Sequence, residues 1–193
     1  MNLAPAVLQN AFVRLEPIAE AHREPLRRAA ADASIWKHWS RDVSDWDAAF
    51  AEQLKKEAAG AWIHFTVFDR KGGDRVVGQT CYLEIRAAHD GVEIGGTWYA
   101  PSAQGGAVNP AAKVLLLGHA FAAGAERVEL KTDARNARSR AAIEKLGAQF
   151  EGVHRKHMRI GDGTMRDSVY YSIIRDDWPS ARASLEARLA AFA

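Results

Sequence analysis

The sequence has a single cysteine, Cys81, among 193 residues. No disulfide can form within the chain, and a cluster of thiolate ligands around a metal is excluded. Long hydrophobic runs are also missing: the longest unbroken aliphatic stretch, residues 114–117, is far below the ~20 residues that cross a bilayer. Residues 1–5 show no basic stretch followed by an apolar one, so they do not resemble a signal peptide. We therefore expect a protein of the reducing cytoplasm.

Charge of one sign is scarce as well, because 26 Lys and Arg residues face 24 Asp and Glu residues, a formal net charge of +2. A nucleic-acid coat or a polybasic membrane anchor needs a larger excess, so we expect no direct nucleic-acid or membrane partner. Hydrophobic residues make up 48% and charged residues 26% of the chain, which excludes a disordered protein. The sequence has no repeat, low-complexity stretch or linker, and it predicts a single domain over residues 1–193.

Helical and strand patterns alternate along the chain, which predicts an α+β fold. The expected strands cover residues 11–16, 61–69, 75–86, 92–99, 127–132, 150–160 and 167–174. The expected helices cover residues 17–33, 45–59, 110–123, 139–146 and 178–192, with Ser44 and Asn109 as N-caps of the second and third. The final hairpin should turn at Gly161-Asp162-Gly163, and its exposed edge would suit a homodimer.

A glycine-rich segment, Gln104-Gly105-Gly106-Ala107-Val108-Asn109-Pro110, lies between an expected strand and an expected helix. Backbone N–H groups at such a helix start lie at the positive end of the helix dipole and can hold a pyrophosphate. Taken alone, the segment also fits an ordinary strand-to-helix loop.

A second segment follows the next strand, over residues 133–148. Asn136 precedes a short helix whose buried stripe would be Ala142, Ile143 and Leu146, and Gly147 would end that helix. Taken alone, this segment also fits a surface helix with solvated charges.

Together and in this order, the two segments resemble the acyl-CoA-binding loop (Gln/Arg-x-x-Gly-x-Gly/Ala) and the Asn-x-x-Ser/Ala…Glu-Lys-Leu-Gly segment of the GCN5-related N-acetyltransferase (GNAT) superfamily. The resemblance spans nearly the whole chain and implies a central, mostly antiparallel sheet flanked by helices. Three shorter matches resemble the RimJ/RimL-type branch, which acetylates the N-termini of ribosomal proteins: Arg14-Leu15-Glu16-Pro17, Glu93-Ile94-Gly95 and Glu151-Gly152-Val153.

The resemblance implies an enzyme that transfers the acetyl group of acetyl-CoA directly to a primary amine, either a protein N-terminus or a small amine. Backbone N–H groups between Thr97 and Tyr99 would polarise the thioester carbonyl, and Arg135, Arg138 or Arg140 would reach the 3′-phosphate of CoA. The implied contacts of the cofactor are Trp98, Tyr99, Gln104, Gly105, Gly106, Ala107, Val108, Asn109, Asn136, Arg138 and Ser139.

Two parts of the sequence depart from the family pattern. Ala107 stands where the loop motif has its first glycine, and Asn109 where it has glycine or alanine; the Cβ of Ala107 would resist a positive φ. Ile143 stands where many members have a tyrosine that protonates the departing thiolate. Isoleucine cannot donate a proton, so the resemblance leaves Ser139 as the candidate acid.

A carboxylate should help the attacking amine to lose its proton. Glu93 is our first candidate for this base and Glu84 the second. Strand alternation would place Glu93, Gly95 and Thr97 on the face towards the cleft, and Ile94, Gly96 and Trp98 on the other face. The space beside Gly95 would then admit an acceptor.

The acceptor entrance in this family lies near the first two helices, where Trp36, Trp39 and Trp46 occur here. The acidic residues Asp42, Asp45 and Asp47 are interleaved with them. An aromatic and acidic mouth would suit a cationic amine, and we expect Trp36 and Trp39 to contact it. Ordinary helix packing is the alternative role for each tryptophan.

Two other functions stay open. The departures at Ala107, Asn109 and Ile143 also fit a CoA-binding sensor or structural module without catalysis. An RNA- or ribosome-binding protein would use the basic cluster Arg155, Lys156, His157 and Arg159.

The seven histidines form no metal-binding pattern. His154 and His157, three apart in an expected strand, should point to opposite faces, so we predict no metal.

Overall fold

The computed structural model describes residues 1–39, 43–161 and 163–192. Its strands are β1 (Leu8–Gln9), β2 (Val13–Pro17), β3 (Ile63–Asp69), β4 (Arg75–Arg86), β5 (Gly91–Tyr99), β6 (Arg127–Asp133), β7 (Gln149–Arg159) and β8 (Met165–Ile174). Its α-helices are α1 (Arg23–Ala29), α2 (Trp46–Ala58), α3 (Val108–Ala122), α4 (Ala137–Glu144) and α5 (Trp178–Ala190). Asp42 and Asp162, which the sequence placed at the acceptor mouth and in the last turn, lie outside the described residues.

The described strands form one sheet in the order β1-β2-β3-β4-β5-β6-β8-β7. All neighbours pair antiparallel except β5 and β6, which are parallel. A parallel pair needs a crossover connection, and α3 supplies it between these two strands. The expected fold, a mostly antiparallel sheet flanked by helices, is confirmed.

Helices cover the two faces of the sheet unequally. On one face α3, α4 and α5 bury the main core, where Val92 and Tyr171 of the sheet meet Leu116 of α3. On the other face α1 and α2 pack over Trp98 in a smaller cluster that includes Phe50. Within the described part of the chain, no helix has the length and apolar character that a bilayer span requires.

Two expected helix starts are wrong near the N-terminus. The first helix begins only at Arg23, because Pro17 still belongs to β2 and the next residue, Ile18, donates its N–H to the carbonyl of His64 at 2.9 Å. The cap of α2 is Asp45 rather than Ser44, since the Asp45 carboxylate accepts the N–H of Ala48. Pairing with β3 therefore delayed the start of α1, and a shift of one residue moved the N-cap of α2.

The start of α3 also differs from the expectation. The helix begins at Val108 with Ala107 at its N-cap, so Asn109 is not the cap and Pro110 lies at the third helical position. Proline is tolerated there because N–H groups of the first turn have no intrahelical acceptor. Ala107 has φ −71° and ψ −23°, a conformation that any residue adopts, so its Cβ causes no strain.

Candidate active site

The sheet opens between β5 and β6. Their pairing covers only Gly91–Glu93 against residues 127–129. Beyond that point β5 continues to pair with β4 as far as Tyr99, and β6 continues to pair with β8 as far as Asp133. The two parallel strands therefore diverge, and the gap between them joins the two faces of the sheet.

A bulge in β5 lies beside this gap. Gly95 pairs with Cys81 and Trp98 with Gln79, so two residues of β5, one of them Gly96, stand opposite one residue of β4. Gly96 has φ +54°, which glycine adopts without penalty, and a Cβ there would lie 2.7 Å from the Cys81 sulfur. The bulge thus requires glycine.

The bulge reverses the strand alternation, so the expected faces are wrong after Gly95. Thr97 points to the α3 side, where its hydroxyl binds Thr80 at 2.8 Å. Trp98 instead lies on the face of α1 and α2 and joins the smaller cluster. One extra residue in a strand turns every later side chain to the opposite face.

The loop after β5 brings the two sequence segments together. Gln104 donates to the carbonyl of Tyr99 at 2.7 Å and accepts from Arg138 at 2.6 Å. Gly105 has φ +79°, and a Cβ added at Gly105 or Gly106 would meet nothing within 4 Å. The start of α3 carries no side-chain cap. Open space therefore adjoins the positive end of this helix, which suits the diphosphate of a CoA thioester.

The start of α4 lies beside this loop. Asn136 caps the helix by accepting the N–H of Ser139 at 3.0 Å, and the Ser139 side chain is half-buried. Ile143 is buried in the main core. Arg135 and Arg140 have partners of their own, since Arg135 binds Asp133 at 2.8 Å and Arg140 donates to Tyr171 at 3.3 Å. Arg138 is bound to the loop itself.

The side chains of Trp98 and Tyr99 point into the two cores. The Trp98 indole donates to Gln79 at 3.3 Å and packs against Trp36 and Trp46 at ring distances of 5.3 and 6.3 Å. The Tyr99 hydroxyl is buried without a hydrogen-bond partner in the described residues, and burial raises its pKa. These residues can therefore offer a cofactor only their backbone, a distinction that the sequence pattern does not reveal.

The aromatic residues expected at the acceptor mouth do come together. Trp36 lies 5.3 Å from Trp39 in an edge-to-face arrangement. With Trp46 and Trp98 these rings line a cavity of about 170 Å³ on the α2 side of β5.

A larger basin of about 540 Å³ opens over β6 and β8, on the same face of the sheet. Its lining consists of Glu84, Arg86, Glu93, Arg127, Glu129, Lys131, Glu151, Gly152, His154, His157, Met158 and Tyr170. Its arginines are ion-paired within it: Arg86 binds Glu129 at 2.9 Å, and Arg127 binds Glu129 at 2.8 Å. The basin is thus polar and nearly neutral.

Glu93 lies at the inner wall of the basin with 3% of its surface exposed. One carboxylate oxygen, Oε2, accepts from Lys131 at 2.7 Å. The other, Oε1, lies beside Gly95, where an added Cβ would be 3.0 Å away. Burial raises the pKa of this carboxyl, and the Lys131 charge opposes the rise. The free oxygen therefore faces the bulge and the gap.

Glu84, the second candidate base, differs from Glu93 in exposure, backbone conformation and ion pairing. It is exposed, has φ +49°, and forms no ion pair among the described residues. Geometry favours Glu93 over Glu84 as a group that acts at the gap.

The histidine expectation is wrong. His154 and His157 lie on the same face, with ring centroids 5.6 Å apart. A bulge between His154 and Met158 displaces the alternation, with Lys156 at φ +48° and its N–H bound to Asp167 at 2.7 Å. Even so, the described part of the chain holds no group of three or more His, Cys, Asp or Glu that could bind a metal.

A buried lysine, Lys113, was not among the functional residues predicted from the sequence. Lys113 of α3 is 4% exposed and donates to Thr97 at 2.7 Å and Thr80 at 3.2 Å, directly behind the β5 bulge. Burial lowers its pKa to about 7. The signal was available, because Lys113 precedes the buried Leu116 and Leu117 by three and four residues and so shares their helix face.

Lys113→Met should stabilise the protein at neutral pH. The unfolded lysine titrates near ~10.4, so between about pH 7 and that value only the unfolded chain binds this proton, and stability rises with pH. Below about pH 7 Lys113 is protonated in both states, and the buried charge destabilises the folded state by its full amount. Removing it should add ~1–3 kcal/mol to the free energy of unfolding near pH 6, with a smaller gain near pH 10, measured by urea unfolding. The exposed Lys145→Met is the control, and equal gains at both pH values would contradict the expectation.

Comparison with known proteins agrees with this architecture. The family model described as the acetyltransferase (GNAT) domain matches residues 13–149. A candidate acetyltransferase from T. thermophilus is 36% identical and superposes with a TM-score of 0.87 over 98% of this chain and 100% of that one. A GCN5-related N-acetyltransferase from Brucella melitensis is 26% identical, with a TM-score of 0.88 over 98% and 87%.

More distant likeness shows the fold alone. Mycobacterium smegmatis RimJ in complex with CoA-disulfide is 24% identical, with a TM-score of 0.77 over 95% of this chain and 93% of that one. No curated protein matches the chain. The family match covers well over half of the sequence, and on that ground the chain belongs to the GNAT acetyltransferases.

Proposed function

We propose that this protein transfers the acetyl group of acetyl-CoA to a primary amine by direct attack on the thioester. The observation that carries the proposal is the gap between β5 and β6. On one side of the gap lies the open glycine loop at the uncapped start of α3, and on the other lies the buried carboxylate of Glu93. Acetyl-CoA bound along the gap would place its pyrophosphate at the loop and its thioester near Glu93.

Acetyl-CoA would bind with its pyrophosphate against the backbone of residues 104–109. Gly105 and Gly106 leave room for close approach, and the α3 dipole favours the negative charge. Arg138, held to the loop by Gln104, adds a nearby cation. Asn136 and Ser139 at the start of α4 would contact the pantetheine arm from the side opposite the loop.

Glu93 would take the proton that the attacking amine loses. Its free Oε1 faces the bulge, where the backbone around Thr97 to Tyr99 would polarise the carbonyl. Oriented donors at a developing oxyanion are among the largest catalytic contributions known. Burial keeps Glu93 a stronger base than an exposed carboxylate, because it raises the pKa of that group.

Ser139→Ala should lower kcat about 10-fold while the affinity for acetyl-CoA stays unchanged. The half-buried Ser139 hydroxyl would hydrogen-bond the departing sulfur, an interaction that strengthens only as charge develops. Stopped-flow rates and calorimetric CoA binding would measure the two quantities. Full retention of the single-turnover rate would remove Ser139 from the mechanism.

The acceptor is proposed to be a protein N-terminus, as in the RimJ/RimL branch, or a small amine. Support for that branch rests on the three short matches at residues 14–17, 93–95 and 151–153. A screen for acetyl-CoA turnover across N-terminal peptides, amino acids, polyamines and aminoglycosides tests the proposal. CoA binding without turnover by any of these amines would favour the non-catalytic sensor instead.

A further inference from the structure

The position that carries a proton-donating tyrosine in many relatives is filled here by a buried isoleucine, Ile143. The chain has four tyrosines. Tyr82, Tyr99 and Tyr171 are buried in the main core, and the hydroxyls of Tyr82 and Tyr171 bind Leu116 and Glu144 there. The fourth, Tyr170, is the one tyrosine that lines the basin.

Tyr170 lies one strand away from the gap, beyond β6. It is half-buried on β8 and pairs with Lys131 of β6, the residue whose ammonium binds Glu93. That ammonium also lies 5.8 Å from the centre of the Tyr170 ring. His154 stacks on the ring at 4.1 Å, so packing fixes its orientation.

A chain of hydrogen bonds ends at the Tyr170 hydroxyl. Arg166, which can only donate, gives its Nε–H to the buried Ser168 oxygen at 2.9 Å. Ser168 lies 2.9 Å from Nδ1 of His157, and Nε2 of His157 lies 3.3 Å from the Tyr170 hydroxyl oxygen.

This chain fixes the direction of each bond. If Ser168 donates to Nδ1, the neutral ring of His157 carries its proton on Nε2 and donates to Tyr170. The Tyr170 O–H is then left for another acceptor in the basin. The opposite tautomer would leave the fully buried Ser168 hydroxyl proton without a side-chain acceptor among the described residues.

The charges around Tyr170 oppose one another. Burial, the largest effect, raises the pKa of its phenol, and the carboxylates of Glu93 and Glu129 raise it too, whereas Lys131 and Arg166 lower it. The phenol therefore keeps its proton at neutral pH, as a proton donor must. Burial lowers the pKa of His157, and the charges of Lys131, His154 and Arg166 lower it further, so the ring stays neutral. A neutral histidine between cations is a poor base but a good hydrogen-bond donor to a phenolate.

We propose that Tyr170 is the proton donor to the CoA sulfur and that His157 positions it; this inference rests on the proposed acetyl transfer. As the C–S bond breaks, the thiolate takes the Tyr170 proton and an S–H bond forms. The His157 N–H stabilises the phenolate. Glu93 releases to solvent the proton that it took from the amine, and solvent returns a proton to Tyr170. Ser139 hydrogen-bonds the sulfur from the other face of the sheet without ionising.

Tyr170→Phe should lower the single-turnover rate of acetyl transfer at least ~10²-fold and leave CoA affinity unchanged. The basic limb of its pH–rate profile should disappear, because a proton donor must be protonated to act. Tyr82→Phe, which removes a hydroxyl in the core, should keep that limb. His157→Gln should lower the rate and move the limb, since its side-chain amide donates weakly to the phenolate.

A wild-type rate and profile for Tyr170→Phe, in a protein that still transfers acetyl groups, would overturn the Tyr170 assignment alone. A wild-type protein inert towards every amine would overturn the proposed function as well. If Tyr170→Phe does not fold, 3-fluorotyrosine placed at position 170 has a more acidic phenol and should shift the basic limb to lower pH. An unshifted limb would also refute the proposal.

Discussion

Glu93→Gln should lower kcat/KM for the acceptor amine about 10²-fold at neutral pH and remove the acidic limb of the pH profile. Glutamine keeps the size of the side chain and can still accept from Lys131, but it has no basic oxygen. Because burial raises the pKa of Glu93, the wild-type acidic limb should lie above the ordinary carboxyl range. Rates measured from acid to neutral pH under kcat/KM conditions would locate that limb.

The matched control is Glu84→Gln, which changes an exposed carboxylate at the rim of the same basin. It should keep the wild-type profile. Lys131→Met is a second diagnostic, since the Lys131 charge lowers the pKa of Glu93 and its loss should move the limb to higher pH. A Glu93→Gln variant with the wild-type profile would exclude Glu93 as the base and transfer the role to Glu84 or solvent.

Gly106→Val should weaken CoA binding at least ~10-fold, about 1.4 kcal/mol, while the protein stays folded. The site of the new side chain is empty, because a Cβ at Gly106 meets nothing within 4 Å. The branched side chain would instead occupy the space through which phosphate approaches the backbone of the loop. Calorimetric titration with CoA would measure the loss, and the melting temperature would verify the fold.

Gly106→Ala supplies the graded control, with a smaller loss in proportion to its smaller side chain. Gly105 is unsuitable for this purpose because its φ of +79° would strain any substituent. Unchanged CoA affinity in a folded Gly106→Val protein would contradict the assigned place of the pyrophosphate.

The sequence by itself determined the fold and the position of the glycine-rich loop between β5 and α3. The order of strands and helices is written in local periodicity and in turn residues, which depend on neighbours along the chain. The loop at residues 104–110 and the helix after Asn136 could be read in the same way, and the structure joins them through Gln104 and Arg138. The prediction of Glu93 as the base rests on its place in β5 and awaits its test.

Only the tertiary structure decided which side chains face the gap. The bulge at Gly96 puts one extra residue of β5 against β4, and the bulge near Lys156 puts three residues of β7 opposite one residue of β8; both disturb the alternation that the sequence predicts. Trp98 and His157 consequently moved to the face of Glu93, and Thr97 moved to the buried Lys113. A bulge is a property of two paired strands, so a single strand's pattern cannot reveal it.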